Sequence, residues 1–294
     1  MVGQHRFKTK TEDTLFPLKK TLQIKGKLYS LDEPWVMGII NTTPDSFYKG
    51  SRVSTNEDRV LEKAFQMVEE GARILDIGGY STRPNAAHIS EQEELNRVIS
   101  VIGSIRKVLP EVLISIDTFR HKVAKEAVSA GADLVNDISG GQLDEEMIPT
   151  VGYLGVPYIC MHMRGNPHTM QRLTEYEHLE REVMDYFSNK LAECKKAGIK
   201  DVILDLGFGF AKTTAQNYRL ARSLDYFRTI PALMLAGVSR KSMVYKLLEC
   251  TPEQALNGTT ALNMALLMGG AQILRVHDVK EATETITIYK QLYT

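Results

Sequence analysis

Short apolar runs alternate with longer amphipathic stretches along most of the chain. The runs are Val36–Ile40, Arg73–Ile77, Val112–Ile116, Leu134–Val135, Pro157–Met161, Val202–Leu204, Ala232–Ala236 and Gln272–Val276. Helical patterns lie between them, at Asn56–Glu70, Glu91–Val108, His121–Ala130, Tyr176–Ala197, Ala215–Phe227, Lys241–Leu248, Glu253–Met268 and Val279–Leu292. Strands that alternate with helices predict parallel βαβ units. Eight such units favour a closed α/β fold, the (β/α)8 TIM barrel, over an open doubly wound sheet.

The ends of the predicted helices and the N-terminal residues also predict parts of the fold. Glycine follows several predicted helices, for example at 70–72 and 197–199, and such a glycine releases the chain into the next strand. This repetition favours one barrel domain over residues 21–294. Residues 22–31 alternate around Lys25-Gly26-Lys27, which predicts a short N-terminal β-hairpin that closes one end of the barrel. Residues 1–20 are polar and basic without an apolar core, so we interpret them as a mobile leader and not a signal peptide.

Composition narrows the classes of partner. Lys and Arg together number 36, as do Asp and Glu, so nothing in the net charge indicates nucleic acid or an anionic membrane as a partner. No apolar stretch approaches the roughly 20 residues of a membrane span. Cys160, Cys194 and Cys250 match no zinc or redox spacing and indicate buried free thiols, which suit a reducing cytoplasm. We therefore expect a cytoplasmic protein.

Polar residues follow every one of the eight runs. Barrel chemistry sits at the carboxyl ends of the strands, where all the loops converge. The segments in question are 41–47, 76–84, Asp117, 136–137, 162–164, 205–210, 239–242 and 275–278. Taken singly, Asp117, Asp137 and Asp205 could equally be helix N-caps. We interpret Asp76 as a brace of the adjacent loops and His162 as a core histidine outside the site. Chance does not account for all eight strand ends together.

These segments resemble the motifs of a known family. Residues 37–47 (MGIINTTPDSF) are similar to the first signature of dihydropteroate synthases, and residues 76–84 (DIGGYSTRP) to the second. Matches in the same order follow at 115–118, 136–138, 161–167, 207–210, 239–242 and 275–278. The resemblance spans residues 36–280. It implies a transferase of folate biosynthesis that condenses 6-hydroxymethyl-7,8-dihydropterin diphosphate with 4-aminobenzoate, using Mg²⁺, and that is a homodimer and a sulfonamide target.

The resemblance also assigns roles to residues. The pterin-binding positions are Asp117, Asn136, Asp205, Lys241 and Arg275, and all of these except Asn136 count as catalytic. The aminobenzoate pocket comprises Thr82, Arg83, Pro84, Phe210, Lys241 and Ser242. The diphosphate-binding residues are Asn41, Arg275 and His277, and Asn41 is also the metal ligand. Asp45 and Arg83 lie on the loops that are mobile in the family. The residue types suit these roles, because carboxylates accept from the N–H edge of a pterin and a guanidinium can stack on its ring.

Departures from the family pattern are few. Leu206 replaces a usual proline, Tyr80 a frequent glutamate, and Ala211 and Asn85 two common glycines. Leu206 follows Asp205 directly, and the loss of the usual proline at that position leaves the carboxylate of Asp205 in place. We therefore keep the assignment of Asp205 to the pterin.

Three other functions fit parts of the sequence. A pterin- or folate-dependent methyltransferase uses a similar barrel, but it needs a corrinoid-binding partner and gives no reason for the segments 81–84 and 239–242. A Schiff-base aldolase could use Lys241, and borohydride trapping would reveal it. A non-enzymatic pterin-binding barrel would show no turnover. The resemblance to dihydropteroate synthases also implies a dissociative mechanism, and no residue has the setting of a covalent nucleophile with its own activating base.

Overall fold

The computed structural model describes residues 20–42, 56–80 and 89–293. Eight parallel strands close into a barrel in the order β10-β3-β4-β5-β6-β7-β8-β9. These strands are β3 Trp35–Asn41, β4 Ile74–Gly78, β5 Leu113–Asp117, β6 Leu134–Asp137, β7 Tyr158–Met161, β8 Val202–Asp205, β9 Leu233–Ala236 and β10 Ile273–Val276. The predicted (β/α)8 barrel is confirmed, and every predicted run contains its strand or overlaps it.

Helices cover the outside of the barrel. They are α1 Asn56–Glu69, α2 Glu91–Val108, α3 His121–Ala130, α4 Met147–Leu154, α5 Leu179–Lys196, α6 Thr214–Arg222, α7 Ser242–Tyr245, α8 Leu256–Gly269 and α9 Val279–Tyr293. The predicted helix 215–227 is divided, because a 3-10 turn at Leu224–Thr229 follows α6. The sequence did not predict α4, which contains a proline and a glycine. Pro149 lies in its first turn, where the missing N–H does no harm. A Cβ on Gly152 would lie 2.1 Å from the carbonyl oxygen of Ala197, so close packing requires that glycine.

The barrel strands alternate between two environments. Side chains such as Val36, Leu75 and Leu274 point outward and join the large core beneath the helices. Their neighbours point inward and form a second buried cluster at the amino ends of the strands, with Met37, Ile74, Leu113, Leu134, Ile159, Ile203, Leu233 and Ile273. Because a strand repeats every two residues, the next inward position on each strand lies one layer closer to the carboxyl ends. That layer contains the polar residues.

A β-hairpin closes the amino end of the barrel, as predicted. Its strands, β1 Thr21–Ile24 and β2 Lys27–Ser30, are joined at Lys25 and Gly26, both of which have positive φ, as a tight two-residue hairpin turn requires. Leu22 and Ile24 join the inner apolar cluster. The backbone N–H of Gln23 donates to Asp201 Oδ2 at 2.8 Å, just before β8.

The other expectations from composition have mixed outcomes. Cys160 and Cys194 are buried free thiols as expected, whereas Cys250 is half-buried. Among the described residues, no helix combines the length and apolar character needed to cross a membrane. Residues 1–19 lie outside the described part of the chain, so the predicted leader stays a prediction.

Candidate active site

Polar side chains form the inward layer at the carboxyl end of the barrel. Four strands each place one polar residue two positions after their inward apolar residue. These residues are Asp76 on β4, Asn136 on β6, Asp205 on β8 and Arg275 on β10. On β5, Asp117 stands beside Asn136 in register. Asp76, Asn136 and Asp205 are buried, and Asp117 and Arg275 are partly exposed at the mouth. The two-residue period of the strands thus brings the four predicted pterin-binding residues on strands, together with Asp76, to one rim.

Arg275 joins two carboxylates across this rim. Its Nε donates to Asp76 Oδ2 at 2.6 Å and its Nη2 to Asp117 Oδ2 at 2.5 Å. Burial disfavours the charged guanidinium, but the carboxylates of Asp76 and Asp117 outweigh burial and hold the pKa of Arg275 above its usual value. Arg275 is therefore a permanent cation, held in place by two carboxylates.

Asp76 is a structural acceptor, and its partners in the described residues are barrel side chains. Besides the bond from Arg275, it accepts from Asn136 Nδ2 at 3.1 Å. Its Oδ1 is buried and has no hydrogen-bond partner within the described residues. Strand periodicity could have found it, since Asp76 follows Ile74 as Asn136 follows Leu134.

Asp117 is poised to change its protonation near neutrality. Burial raises the pKa of Asp117 to about 7, the neighbouring Arg275 opposes this rise, and the charge of Asp76 adds to it. Asp117 does not cap α3, whose N-cap residue is Arg120. The alternative that Asp117 is a helix N-cap is therefore wrong, and its side chain lies at the mouth of the barrel.

Asp205 and Lys241 form the opposite side of the rim. Asp205 Oδ1 accepts from the backbone N–H of Gly207 at 2.8 Å, and α6 is capped by Thr213, so Asp205 is not an N-cap. Lys241 Nζ donates to the carbonyl of Phe208 at 2.6 Å and lies 4.8 Å from the centre of the Phe210 ring. Burial raises the pKa of Asp205, with Lys241 opposing this. Burial also lowers the pKa of Lys241 to about 8, with Asp205 opposing this.

Gly237 lies between these groups. A Cβ on Gly237 would lie 3.9 Å from each of Arg275 Cβ, Asp205 Oδ2 and Lys241 Nζ. All three are at ordinary contact distance from one point, so they surround a common volume. A carboxylate and an ammonium beside this volume, with the Arg275 guanidinium on the same rim, suit a flat ligand with both donors and acceptors.

A second group of polar residues lies beside β3 and β10. A Cβ on Gly78 would lie 3.7 Å from Asn41 Oδ1 and 3.6 Å from Asp117 Cβ, so Asn41 and Asp117 flank the same glycine. His277 Nδ1 lies 3.0 Å from Ser239 Oγ. Burial and then Arg275 lower the pKa of His277 to about 4, so this ring is neutral at physiological pH.

The oxygen donors of this region suit only a weakly held metal. Within residues 20–42, 56–80 and 89–293, no group of three His, Cys, Asp or Glu side chains could hold an ion. Asn41 offers a neutral amide oxygen, and Mg²⁺ often takes one or two protein oxygens while water and phosphate fill its other positions. The residues therefore fit a magnesium ion that arrives with a diphosphate.

Several other sequence predictions have a place in the structure. Ser242 opens α7 next to Lys241, and Phe210 is almost fully buried. Asp137 is a structural residue, because both of its oxygens accept from neighbouring groups. His162 is a buried core histidine, as interpreted, and its partner is the buried Lys212, which the sequence gave no signal to find.

Some predicted residues lie outside the described residues. These are Asp45, Thr82, Arg83 and Pro84, together with the departure at Asn85. Of the other departures, Tyr80 packs edge-on against Phe119, with its ring 5.2 Å away. Ala211 keeps a positive φ of 50°, the conformation that favours the glycine common in the family.

Comparisons with known proteins agree on one family. The family model described as pterin binding enzyme matches residues 37–277. The dihydropteroate synthase of Synechocystis is 41% identical over 280 residues, which cover 94% of each chain. A crystal structure of the Yersinia pestis dihydropteroate synthase with a sulfonamide drug complex has a TM-score of 0.86 and 40% identity, covering 92% of this chain and 98% of the other. Xanthomonas albilineans dihydropteroate synthase with 4-aminobenzoic acid also gives a TM-score of 0.86, at 35% identity and 93% and 98% coverage.

Proposed function

The chain belongs to the dihydropteroate synthase family of pterin binding enzymes, and we propose that it condenses 6-hydroxymethyl-7,8-dihydropterin diphosphate with 4-aminobenzoate to form 7,8-dihydropteroate and diphosphate. The observation that carries this proposal is the polar rim around Gly237, where Asp205 and Lys241 lie beside the stem of Arg275 and the Arg275 guanidinium joins Asp76 and Asp117. Such a combination matches a pterin, which has N–H donors along one edge, acceptors on the other and a flat face.

The pterin is recognised by groups on four strands and one loop. Asp205 and Asp117 accept from the N–H edge, Asn136 both donates and accepts, and Lys241 donates to the carbonyl side. Arg275 stacks on the ring, and its bonds to Asp76 and Asp117 support its orientation. Hydrogen bonds within the protein hold the side chains of Asp205 and Arg275 in place, which reduces the ordering that binding requires.

The reaction proceeds by departure of diphosphate before the amine attacks. The bond between the pterin methylene and the diphosphate oxygen breaks, and its electron pair leaves with the diphosphate. Asn41, Arg275 and His277 hold that leaving group, while the carboxylates of Asp117 and Asp205 stabilise the cationic methylene electrostatically. The arylamine nitrogen of 4-aminobenzoate then forms the new C–N bond and loses a proton.

Mg²⁺ is the proposed cofactor, with Asn41 as its protein ligand. When bound with the diphosphate, the ion would supply positive charge to the leaving group. The neutral amide of Asn41 contributes no negative charge, which supports the proposal that the affinity of the protein for Mg²⁺ depends on the diphosphate.

The aminobenzoate pocket is proposed above the pterin. Phe210, Lys241 and Ser242 are its proposed residues within the described part of the chain. Thr82, Arg83 and Pro84, which the family resemblance also assigns to it, lie outside that part. Because this pocket shares Lys241 with the pterin site, we expect 4-aminobenzoate and sulfonamides to bind after the pterin and diphosphate.

We also propose a cytoplasmic homodimer. Large apolar side chains are exposed around α7, α8 and α9, and they are Leu247, Leu248, Met268, Ile288 and Leu292. An exposed group of this kind supports a protein interface. Light scattering after size exclusion would give twice the mass of 33.0 kDa if the dimer forms.

Diphosphate release tests the activity directly. We expect release only when the pterin diphosphate, 4-aminobenzoate and Mg²⁺ are all present, and we expect 7,8-dihydropteroate in equal amount. Release without 4-aminobenzoate would indicate a hydrolase. Borohydride inactivation in the presence of a carbonyl substrate would instead favour a Schiff base on Lys241.

A further inference from the structure

Lys212 is a buried lysine to which the proposed reaction gives no role. It follows the glycine-containing segment Gly207–Phe210 and is only 5% exposed. Its Nζ donates to the carbonyls of Phe210 at 3.0 Å and Gly207 at 3.1 Å and lies 2.9 Å from His162 Nδ1. An ammonium has three protons and no lone pair, so these three groups act as acceptors and satisfy it fully. A lysine this deeply buried requires such partners.

The segment that Lys212 holds has an unusual backbone. Gly207, Gly209 and Ala211 all have positive φ, of 68°, 84° and 50°. This alternation turns the carbonyls of Gly207 and Phe210 toward the same point, where Nζ lies. Alanine adopts such a φ only with strain, so the surrounding contacts must maintain the conformation.

A second residue holds the segment from the side of α6. Asn217 Oδ1 accepts from the backbone N–H of Gly209 at 2.8 Å, and its Nδ2 donates to the carbonyl of Thr213 at 2.8 Å. Asn217 is itself buried. The segment is therefore held between a lysine on one side and an asparagine on the other, and its geometry is fixed by two independent contacts.

The same segment orients two proposed pterin ligands. The N–H of Gly207 donates to Asp205 Oδ1, and the carbonyl of Phe208 accepts from Lys241 Nζ. If Gly207–Phe210 moved, both bonds would change together. From this chain of contacts we propose that Lys212 is a positioning residue for the pterin site, acting on Asp205 and Lys241 through the segment Gly207–Phe210.

The charge of Lys212 acts in the same direction. Burial lowers the pKa of Lys212 to about 7, with Asp205 opposing this. Burial also raises the pKa of the Asp205 carboxyl, and Lys212 in its protonated form opposes that rise and so favours the ionised acceptor. Substitution by methionine keeps the length and apolar stem of the side chain but removes both the charge and the donors. Substitution by arginine keeps the charge and donors but changes their positions.

Calorimetry with 6-hydroxymethyl-7,8-dihydropterin tests this inference, which rests on the proposed function. We expect the dissociation constant to rise at least tenfold in Lys212→Met and by a smaller factor in Lys212→Arg. Binding stoichiometry should stay near one in both variants. Lys190→Met is the matched control, because Lys190 is a mostly buried lysine of α5 that pairs with Glu193, and it should bind as wild type does.

The alternative outcomes are distinct. If Lys212 only stabilises the fold, stoichiometry and melting temperature fall while the dissociation constant of the folded fraction stays unchanged, and the inference is overturned. Wild-type affinity in Lys212→Arg and Lys212→Met would also overturn it. If the wild-type protein itself binds no dihydropterin, the proposed function fails instead.

Discussion

Replacing Asp205 by asparagine is the sharpest single perturbation of the proposed pterin site. The carboxylate is buried, and Oδ1 is occupied by the N–H of Gly207. Oδ2 faces the volume beside Gly237. Asparagine can keep the bond to Gly207 with its amide oxygen. The amide nitrogen then replaces Oδ2 and points its protons at the N–H edge of the pterin.

The size of the effect follows from these contacts. The substitution removes one or two hydrogen bonds to a charged acceptor, and each such bond contributes roughly 1.5–3 kcal/mol. A single lost bond therefore predicts a dissociation constant raised about 10- to 150-fold. Turnover should fall with affinity, because the same carboxylate is proposed to stabilise the cationic methylene.

The matched control lies at the other end of the same strand. Asp201 is also buried and accepts a backbone N–H at 2.8 Å, from Gln23 of the hairpin. Calorimetry should show that Asp201→Asn binds the dihydropterin normally while Asp205→Asn does not. Unchanged affinity in a folded Asp205→Asn protein would refute the role of this carboxylate.

Three further predictions follow from the same site. Gly237→Ala should fold normally, since its methyl meets only ordinary contacts, but it should weaken pterin binding measured by calorimetry by about 1–3 kcal/mol, because the methyl occupies the ligand volume. Pterin affinity measured between about pH 6 and 9 should rise as Asp117 loses its proton near pH 7 and fall as Lys241 loses its proton above pH 8, and a flat profile would count against both groups. Equilibrium dialysis should show that Mg²⁺ binds weakly to the free protein and tightly once diphosphate is present, and tight uptake without diphosphate would contradict the site at Asn41.

The fold was predictable because each strand and helix is encoded locally. Apolar runs of strand length, amphipathic stretches and glycines after helices recur in the same order along the chain. The exception, α4, depends on a contact made far along the chain. Gly152 is unfavourable in an isolated helix, but it allows α4 to approach Ala197 closely.

The candidate site was predictable for residues on strands and much less so for residues that act through others. Asp117, Asn136, Asp205 and Arg275 stand at strand ends, and strand geometry brings them together. Lys212 gave no such signal, because its burial depends on how the preceding glycine segment folds back over it. Asp76 had the right spacing, and its bonds from Arg275 and Asn136 show that it belongs to the rim.

A crystal structure with 6-hydroxymethyl-7,8-dihydropterin bound tests the central claim most directly. The account predicts that the ring lies in the volume beside Gly237, with its N–H edge on Asp205 and Asp117 and its face against Arg275. A ring bound elsewhere, or one whose N–H edge faces away from both carboxylates, would contradict the proposed site.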